Sequence, residues 1–208
     1  MVITIDGLSS TGKSTLAKRI AREMHYFYFN TGLLYRFITY VVKEKKLEQE
    51  PVSKILDVLQ SLDFWMDEDR MFWDGVDVTE NLYSLDLPFL TSYYSTIPEI
   101  KEWVRSVQRQ ALLKGNVVME GRDIGTRIAP DADVKFYLFA TLLVRAERLM
   151  KRNPELTKEQ ALLELEKIDQ ANVDSKDFCE PIDAVRIDTS HLTLDEVYFK
   201  MMEVIQTF

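Results

Sequence analysis

Gly7-Leu8-Ser9-Ser10-Thr11-Gly12-Lys13-Ser14 has the form G-x-x-x-x-G-K-[ST], and its flanks give the string physical meaning. Val2-Ile3-Thr4-Ile5 before it is a short apolar, β-rich run. After it, Leu16, Ile20 and Met24 recur every four residues, the spacing of a helix face. A strand, a glycine-bearing loop and a helix start together make a phosphate cradle. Gly7 and Gly12 let backbone N–H groups turn toward a polyphosphate, and the helix N-terminus adds partial positive charge. Lys13 is placed to reach β- and γ-phosphates, and the Ser14 hydroxyl to hold Mg²⁺.

Working outward, the 208 residues suffice for a real core in one domain with an inserted subdomain. Hydrophobic residues make up 46% and charged residues 29%, ordinary for a globular chain. A net charge of −8 argues against nucleic acid or anionic membrane as a partner, so an anionic ligand must be held by local cations. Cys179 is the one cysteine, which excludes an internal disulfide and suits a reducing compartment. The chain opens on a core strand, so no leader is expected, and no apolar run nears the ~20 residues that span a bilayer. The expected location is the cytoplasm.

Strand and helix patterns alternate along the chain. Tyr26–Phe29 reads as a strand followed by a loop at Asn30-Thr31-Gly32, Leu33–Lys46 as a helix, and Pro51–Leu62 as a second helix. Within 63–80, three short apolar runs are separated by Asp67-Glu68-Asp69-Arg70 and by Asp74-Gly75, a strong hairpin signal. Helices are expected at Pro98–Leu113, Leu142–Lys151 and Leu194–Ile205, with strands at Val117–Met119, Val134–Leu138 and Ala184–Ile187. Thr157-Lys158-Glu159-Gln160 is a capping box that opens a helix carrying Leu162, Leu165 and Ile168. This alternation implies an α/β fold with a parallel sheet covered on both faces. Gly7, Asn30, Glu120 and Asp188 all follow strands, so they are expected at one rim, where such sheets bind ligands.

A phosphate-binding loop specifies a nucleoside triphosphate but not its use: GTPases, ATPase motors and small-molecule kinases share it. A kinase also needs a second anion site in line with the γ-phosphate and a cover that excludes water. Arg36, one turn past Thr31-Gly32, and Arg122, just past a strand, have the bidentate chemistry for an acceptor phosphate. His25 and His191 stand apart from any carboxylate at metal spacing and read as surface or capping residues. Trp65, Trp73 and Trp103 read as packing, and Cys179 as a buried or bystander thiol.

Gly7–Ser14, Asn30-Thr31-Gly32-Leu33-Leu34-Tyr35-Arg36, Asp74-Gly75-Val76-Asp77-Val78-Thr79 and Glu120-Gly121-Arg122-Asp123-Ile124-Gly125-Thr126 resemble bacterial cytidylate kinases, in that order. So do Ile187-Asp188-Thr189-Ser190 and Leu194-Asp195-Glu196-Val197. The resemblance covers nearly the whole chain, and the Gly121–Thr126 block is far more specific than the loop. It implies the P-loop NTPase fold: a three-layer α/β/α domain over 1–208, with a small antiparallel β insert and a helical lid. The acceptor-binding insert would span about 36–97 and the lid about 151–180. The implied activity is a monomeric nucleoside monophosphate kinase that uses ATP, CMP or dCMP, and Mg²⁺.

By position, the resemblance implies that Gly7, Leu8, Ser9, Ser10, Thr11, Gly12, Lys13, Ser14 and Thr15 bind ATP. Lys13, Arg36, Arg122 and Asp123 are the implied catalytic residues, with Arg36 and Arg122 holding the acceptor phosphate. Thr31 joins the acceptor site, Ser92 and Asp123 read the cytosine edge, and Asp174 contacts the sugar. Lys101 stands where the family has an arginine in the base pocket. Ser14 is the implied Mg²⁺ ligand, and Glu120 replaces an aspartate that would orient the metal's water shell.

Two family arginines of the lid are replaced by Gln170 and Asp177, and Asn30 replaces an acceptor-side aspartate. Losing one arginine clamp can cost about 10³-fold in phosphoryl transfer. Arg148, Lys151 and Arg152, with Arg145 before them, are the candidate substitutes for binding phosphates from the lid. Alternative readings are a nucleotide-binding regulatory protein with weak or lost transfer, and a kinase for another small-molecule acceptor. The double substitution Gln170→Arg with Asp177→Arg is predicted to raise CMP turnover in a coupled ADP-release assay; a decrease would mean that the cover is adapted to a different acceptor.

Overall fold

Apolar runs become strands, and amphipathic segments become helices, in a computed structural model that describes residues 1–83, 87–174 and 179–208. The order is β1 (Val2–Gly7), α1 (Lys13–Met24), β2 (Phe27–Asn30), α2 (Thr31–Glu44), α3 (Val52–Gln60), β3 (Phe64–Asp67), β4 (Arg70–Trp73) and β5 (Val76–Asp77). There follow α4 (Leu87–Tyr94), α5 (Pro98–Leu112), β6 (Val117–Gly121), β7 (Val134–Phe139), α6 (Leu142–Arg152), α7 (Lys158–Asp174), β8 (Val185–Asp188) and α8 (Leu194–Ile205). Two compact units emerge: Met1–Tyr26 with Asn116–Phe208, and Phe27–Gly115.

In the first unit β6, β1, β7 and β8 lie side by side in that order, all parallel. Ile3, Thr4, Ile5 and Asp6 are consecutive and fully buried. A strand buried on both faces must lie between covering layers, which is why β1 shows no alternation of apolar and polar residues. The register places Asp6 beside Gly121, Gly7 beside Leu138, and Phe139 beside Asp188. Gly7, Glu120 and Asp188 thus lie at one rim, as the strand order predicted for them.

Helix ends in this unit are written in local chemistry. His25 ends α1 in the left-handed conformation, and its N–H reaches Ala21 and Arg22 carbonyls, fulfilling the capping role expected of it. Thr157 and Gln160 form the expected box: Gln160 N donates to Thr157 Oγ1 at 3.2 Å, and Thr157 N to Gln160 Oε1 at 2.9 Å. Ala146, Leu149, Ala161 and Leu165 then pack α6 on α7. Buried Arg145 crosses the same contact, with Nη1 and Nη2 donating to Asp169 at 3.1 and 2.6 Å. Cys179 is exposed, so the buried alternative for this thiol is corrected: residues 179 and 180 carry no regular structure that would sink it.

In the second unit the helix after β2 begins at Thr31, two residues earlier than its apolar spacing indicated. Asn30 is the reason: its Oδ1 accepts from Leu33 N at 3.0 Å, capping α2 and drawing the expected loop into the helix. The small antiparallel sheet β3-β4-β5 forms where the insert was expected. Asp74 and Gly75 turn it with φ of 48° and 80°, the left-handed pair that a two-residue hairpin requires. Trp73 sits edge-on to Phe37 and Tyr40, and Trp103 lies against Phe64, so these indoles pack as expected. The 3₁₀ turn Glu80–Tyr83 is too short to show a period, and α4 was missed although Leu87, Leu90 and Tyr94 keep the i, i+3, i+7 spacing of a helix face.

No helix among the described residues is long and apolar enough to cross a membrane. Asp169→Ala would strand the Arg145 guanidinium in the α6–α7 contact. The expected loss is about 2 to 3 kcal/mol in urea unfolding, below a fully buried pair because the Asp169 side chain is 24% exposed.

Candidate functional site

The loop between β1 and α1 is shaped by close approach. A Cβ on Gly7 would lie 2.0 Å from the Leu138 carbonyl oxygen, so no side chain fits where β1 hands over to the loop. Ser10 and Gly12 take φ of 61° and 99°, which turns the chain back into α1. Gly12 is the helix's N-cap and has no side chain to bond the first amides of α1. Those amides and the helix dipole form an anion site. Ser14 and Thr15 are exposed on the first turn, whereas Lys13 is buried and its Nζ donates to Leu8 O at 2.7 Å.

Three arginines from elsewhere in the first unit reach the same loop. Arg122, just past β6, donates to Gly7 O at 2.7 Å and to Ser9 Oγ at 2.6 Å. From α6, Arg152 donates to Ser10 Oγ at 2.5 Å, and Arg148 lies 3.4 and 3.5 Å from the Ser10 and Thr11 carbonyls. Arg148 is held there by Thr189, with bonds of 2.9 Å to Oγ1 and 2.5 Å to the carbonyl. Lys151, expected with these arginines, is exposed on α6. The Arg145 side chain turns the other way, onto Asp169.

Crowding of cations in a buried place has an electrostatic consequence. Burial, and then the Arg122 charge, push the Lys13 ammonium down to about 7, against the pull of Glu120 and Asp6. Burial likewise lowers Arg122 from its ordinary value. Asp6 is fully buried and accepts from Ile124 N at 2.9 Å and Gly125 N at 2.7 Å. Burial still raises its carboxyl to about 6, because the two amide donors only partly offset desolvation. These bonds hold a π-helical turn, Ile124–Ile128, that the sequence pattern did not announce.

Glu120 is buried near the end of β6, and Asp123 lies 3.6 Å from the Arg127 guanidinium. No cluster of three or more His, Cys, Asp or Glu among the described residues could hold a metal alone. The Ser14 hydroxyl and the carboxylate of Glu120, whose charge is felt at Lys13, are of the kind that suits a hard cation that keeps waters and takes its other oxygens from substrate phosphates.

The second unit carries the other expected residues. Thr31 opens α2, and buried Gln108 on α5 donates from Nε2 to its Oγ1 at 2.9 Å. The Arg36 guanidinium lies 4.5 Å over the Tyr83 ring. Ser92 is exposed on α4, and Lys101 is half-buried on α5. Gln170 is exposed on α7; Asp177 and the Asp174 side chain lie outside the described residues. Sequence reasoning missed Asp6, Asp169, Thr189 and Gln108. Two left a signal: Asp6 as a charged residue in a strand of mostly apolar residues, and Thr189 within the family string Ile187–Ser190.

A phosphate-binding loop at the rim of a parallel α/β sheet, ringed by basic side chains, defines a P-loop nucleotide-binding protein. A model of the family "Cytidylate kinase" matches residues 3–207. A cytidylate kinase of Caldanaerobacter subterraneus is 38% identical over 98% of this chain and 94% of its own length. One of Chlamydia caviae is 36% identical over 99% and 98%. In fold, the chain is similar to shikimate kinase from Aquifex aeolicus, with a TM-score of 0.52 at 14% identity, covering 99% of this chain and 96% of that one. The chain belongs to the cytidylate kinase family.

The depressed Lys13 makes triphosphate binding pH-dependent, with a definite sign. Above about pH 7 the ligand-free ammonium loses its proton, and a bound polyphosphate restores it. ATP affinity is therefore expected to fall as pH rises from 7 to 9. Calorimetry at pH 8 in buffers of different ionisation enthalpy should show proton uptake, which Lys13→Met removes.

Proposed function

We propose that the chain transfers the γ-phosphoryl group of ATP to CMP or dCMP with Mg²⁺, releasing ADP and the nucleoside diphosphate. One observation carries this reading: the family block Glu120–Thr126 delivers Arg122 onto the phosphate-binding loop, at Gly7 O and Ser9 Oγ. Phosphoryl transfer needs positioning and charge neutralisation rather than a covalent nucleophile, and this arrangement gathers cations at the loop.

On ATP binding, Lys13 exchanges the Leu8 carbonyl for β- and γ-phosphate oxygens, while the loop amides of residues 7–15 take the phosphate chain. Arg148 and Arg152 exchange loop oxygens for phosphate in the same way, in place of the missing lid arginines. Arg36 and Arg122 each take the role of neutralising the acceptor phosphate, and Thr31 that of an acceptor-binding residue. Ser92, Lys101 and Asp123 hold the base; a carboxylate suits the cytosine N4 amine, and Asp174 suits a sugar hydroxyl. Ser14 would hold the metal and Glu120 would orient its waters; Mg²⁺, when bound, would supply positive charge against the charge that develops on the transferring phosphoryl group. We read the protein as a cytoplasmic monomer with a helical lid over about 151–180. Exposed, neutral Gln170 and the engagement of Arg145 with Asp169 favour a second reading, a nucleotide-binding protein with weak transfer.

ADP release measured with CMP, dCMP, UMP and AMP separates the two. Turnover is expected with the cytidine nucleotides, and ATP binding without turnover on any acceptor would overturn the kinase reading. Lys13→Ala is expected to abolish activity. Arg122→Ala should lower kcat/KM for CMP by about 10²-fold or more; unchanged kinetics would displace the acceptor site from Arg122.

A further inference from the structure

We propose that Asp6 is a positioning residue that fixes the Arg122–Asp123 dipeptide, with Arg122 on the loop, and thereby sets transfer to the acceptor rather than donor binding. The inference rests on the kinase reading above. Asp6 secures the segment 121–125 at both ends. On one side its backbone lies opposite Gly121 in the β1–β6 ladder. On the other side its two carboxylate oxygens take the amides of Ile124 and Gly125, at 2.9 and 2.7 Å. Arg122 and Asp123 are the residues between Gly121 and these two amides, so one side chain determines how the dipeptide leaves the sheet.

The sheet itself does not call for this carboxylate. β1 and β6 are already paired from Val2–Val117 through Asp6–Gly121 by backbone alone. A fully buried charge is a costly way to satisfy two amides, and its carboxyl is raised to about 6 as a result. Burial and the Asp123 charge oppose ionisation; the two amides and the Lys13 charge favour it. A carboxylate offers an acceptor to each N–H, with the strength of a charge-assisted bond. An asparagine would offer one acceptor and set its NH₂ against the second N–H.

The packing is tight on the far side too. A Cβ on Gly125 would come within 2.9 Å of Thr4 Oγ1, 2.9 Å of Pro181 Cγ and 3.2 Å of Asp6 Oδ2. The turn therefore has little room to shift while the clamp is closed. What the clamp delivers is functional: the Arg122 guanidinium lands on the carbonyl of Gly7, the residue next to Asp6.

The test compares wild type with Asp6→Asn and Gly125→Ala, by steady-state kinetics and by ATP calorimetry. Both variants are expected to lose about 10²-fold in kcat/KM for CMP, the scale of a misplaced reacting group. ATP Kd should stay within about threefold of wild type in Gly125→Ala and weaken at most about tenfold in Asp6→Asn, the share owed to the Asp6 charge that helps Lys13 keep its proton. A purely structural role would lower thermal stability without this split. Wild-type kinetics in a folded Asp6→Asn overturn the proposal, and so does an equal loss of ATP binding, which would assign the clamp to the loop. Should Asp6→Asn not fold, Gly125→Ala decides by the same criteria; failure of both to fold makes Asp6 a folding residue and also overturns it. Absence of turnover in the wild type is the separate failure of the kinase reading, visible before either variant is measured, and it removes the proposal as well.

Discussion

At the end of β1 the chain passes so close to β7 that a Cβ on Gly7 would sit 2.0 Å from the Leu138 carbonyl oxygen. Everything around the site depends on this approach. It brings β1 to the rim beside β7 and β6, starts the loop where both neighbours end, and leaves the Gly7 carbonyl facing Arg122. A side chain at residue 7 would part the strands, and the loop would lose its floor. Gly12 completes the constraint from the other end, because its positive φ lets α1 begin with amides that no side chain caps.

That geometry gathers positive charge within a chain whose net charge is −8. Lys13, Arg122, Arg148 and Arg152 all donate to oxygens of the loop. Burial first, and then the neighbouring Arg122 charge, disfavour the charged form, and Lys13 bears the effect most plainly. Such a cluster is poised for a polyanion, which would take over from the loop carbonyls and relieve the mutual repulsion. Asp6 and Glu120 moderate the crowding from the strand ends, both drawing the Lys13 proton back.

Much of this was legible in the residues. The loop string, the Asp74-Gly75 hairpin and the Thr157 box name their own backbone geometry, since each depends on residues adjacent in the chain. The 3₁₀ turn at Glu80–Tyr83 was not legible, because four residues are too few to show a period, whereas α4 was overlooked although Leu87, Leu90 and Tyr94 keep helical spacing. The Asn30 cap was overlooked for a different reason. Asn30-Thr31-Gly32 looks like a loop until Leu33 N supplies the bond that turns it into a helix start.

By itself the sequence determined the alternating α/β order, the phosphate-binding loop and the family-specific block at Glu120–Thr126. These reside in short contiguous strings whose backbone preferences are local. Tertiary structure decided which charges meet: Arg148 and Arg152 on the loop through Thr189 and Ser10, Arg145 on Asp169 instead, and Asp6 on the amides of Ile124 and Gly125. The physical reason is range. Dihedral preference acts over a few residues, whereas these hydrogen bonds join residues 24 to 142 positions apart and exist only once strands and helices have packed.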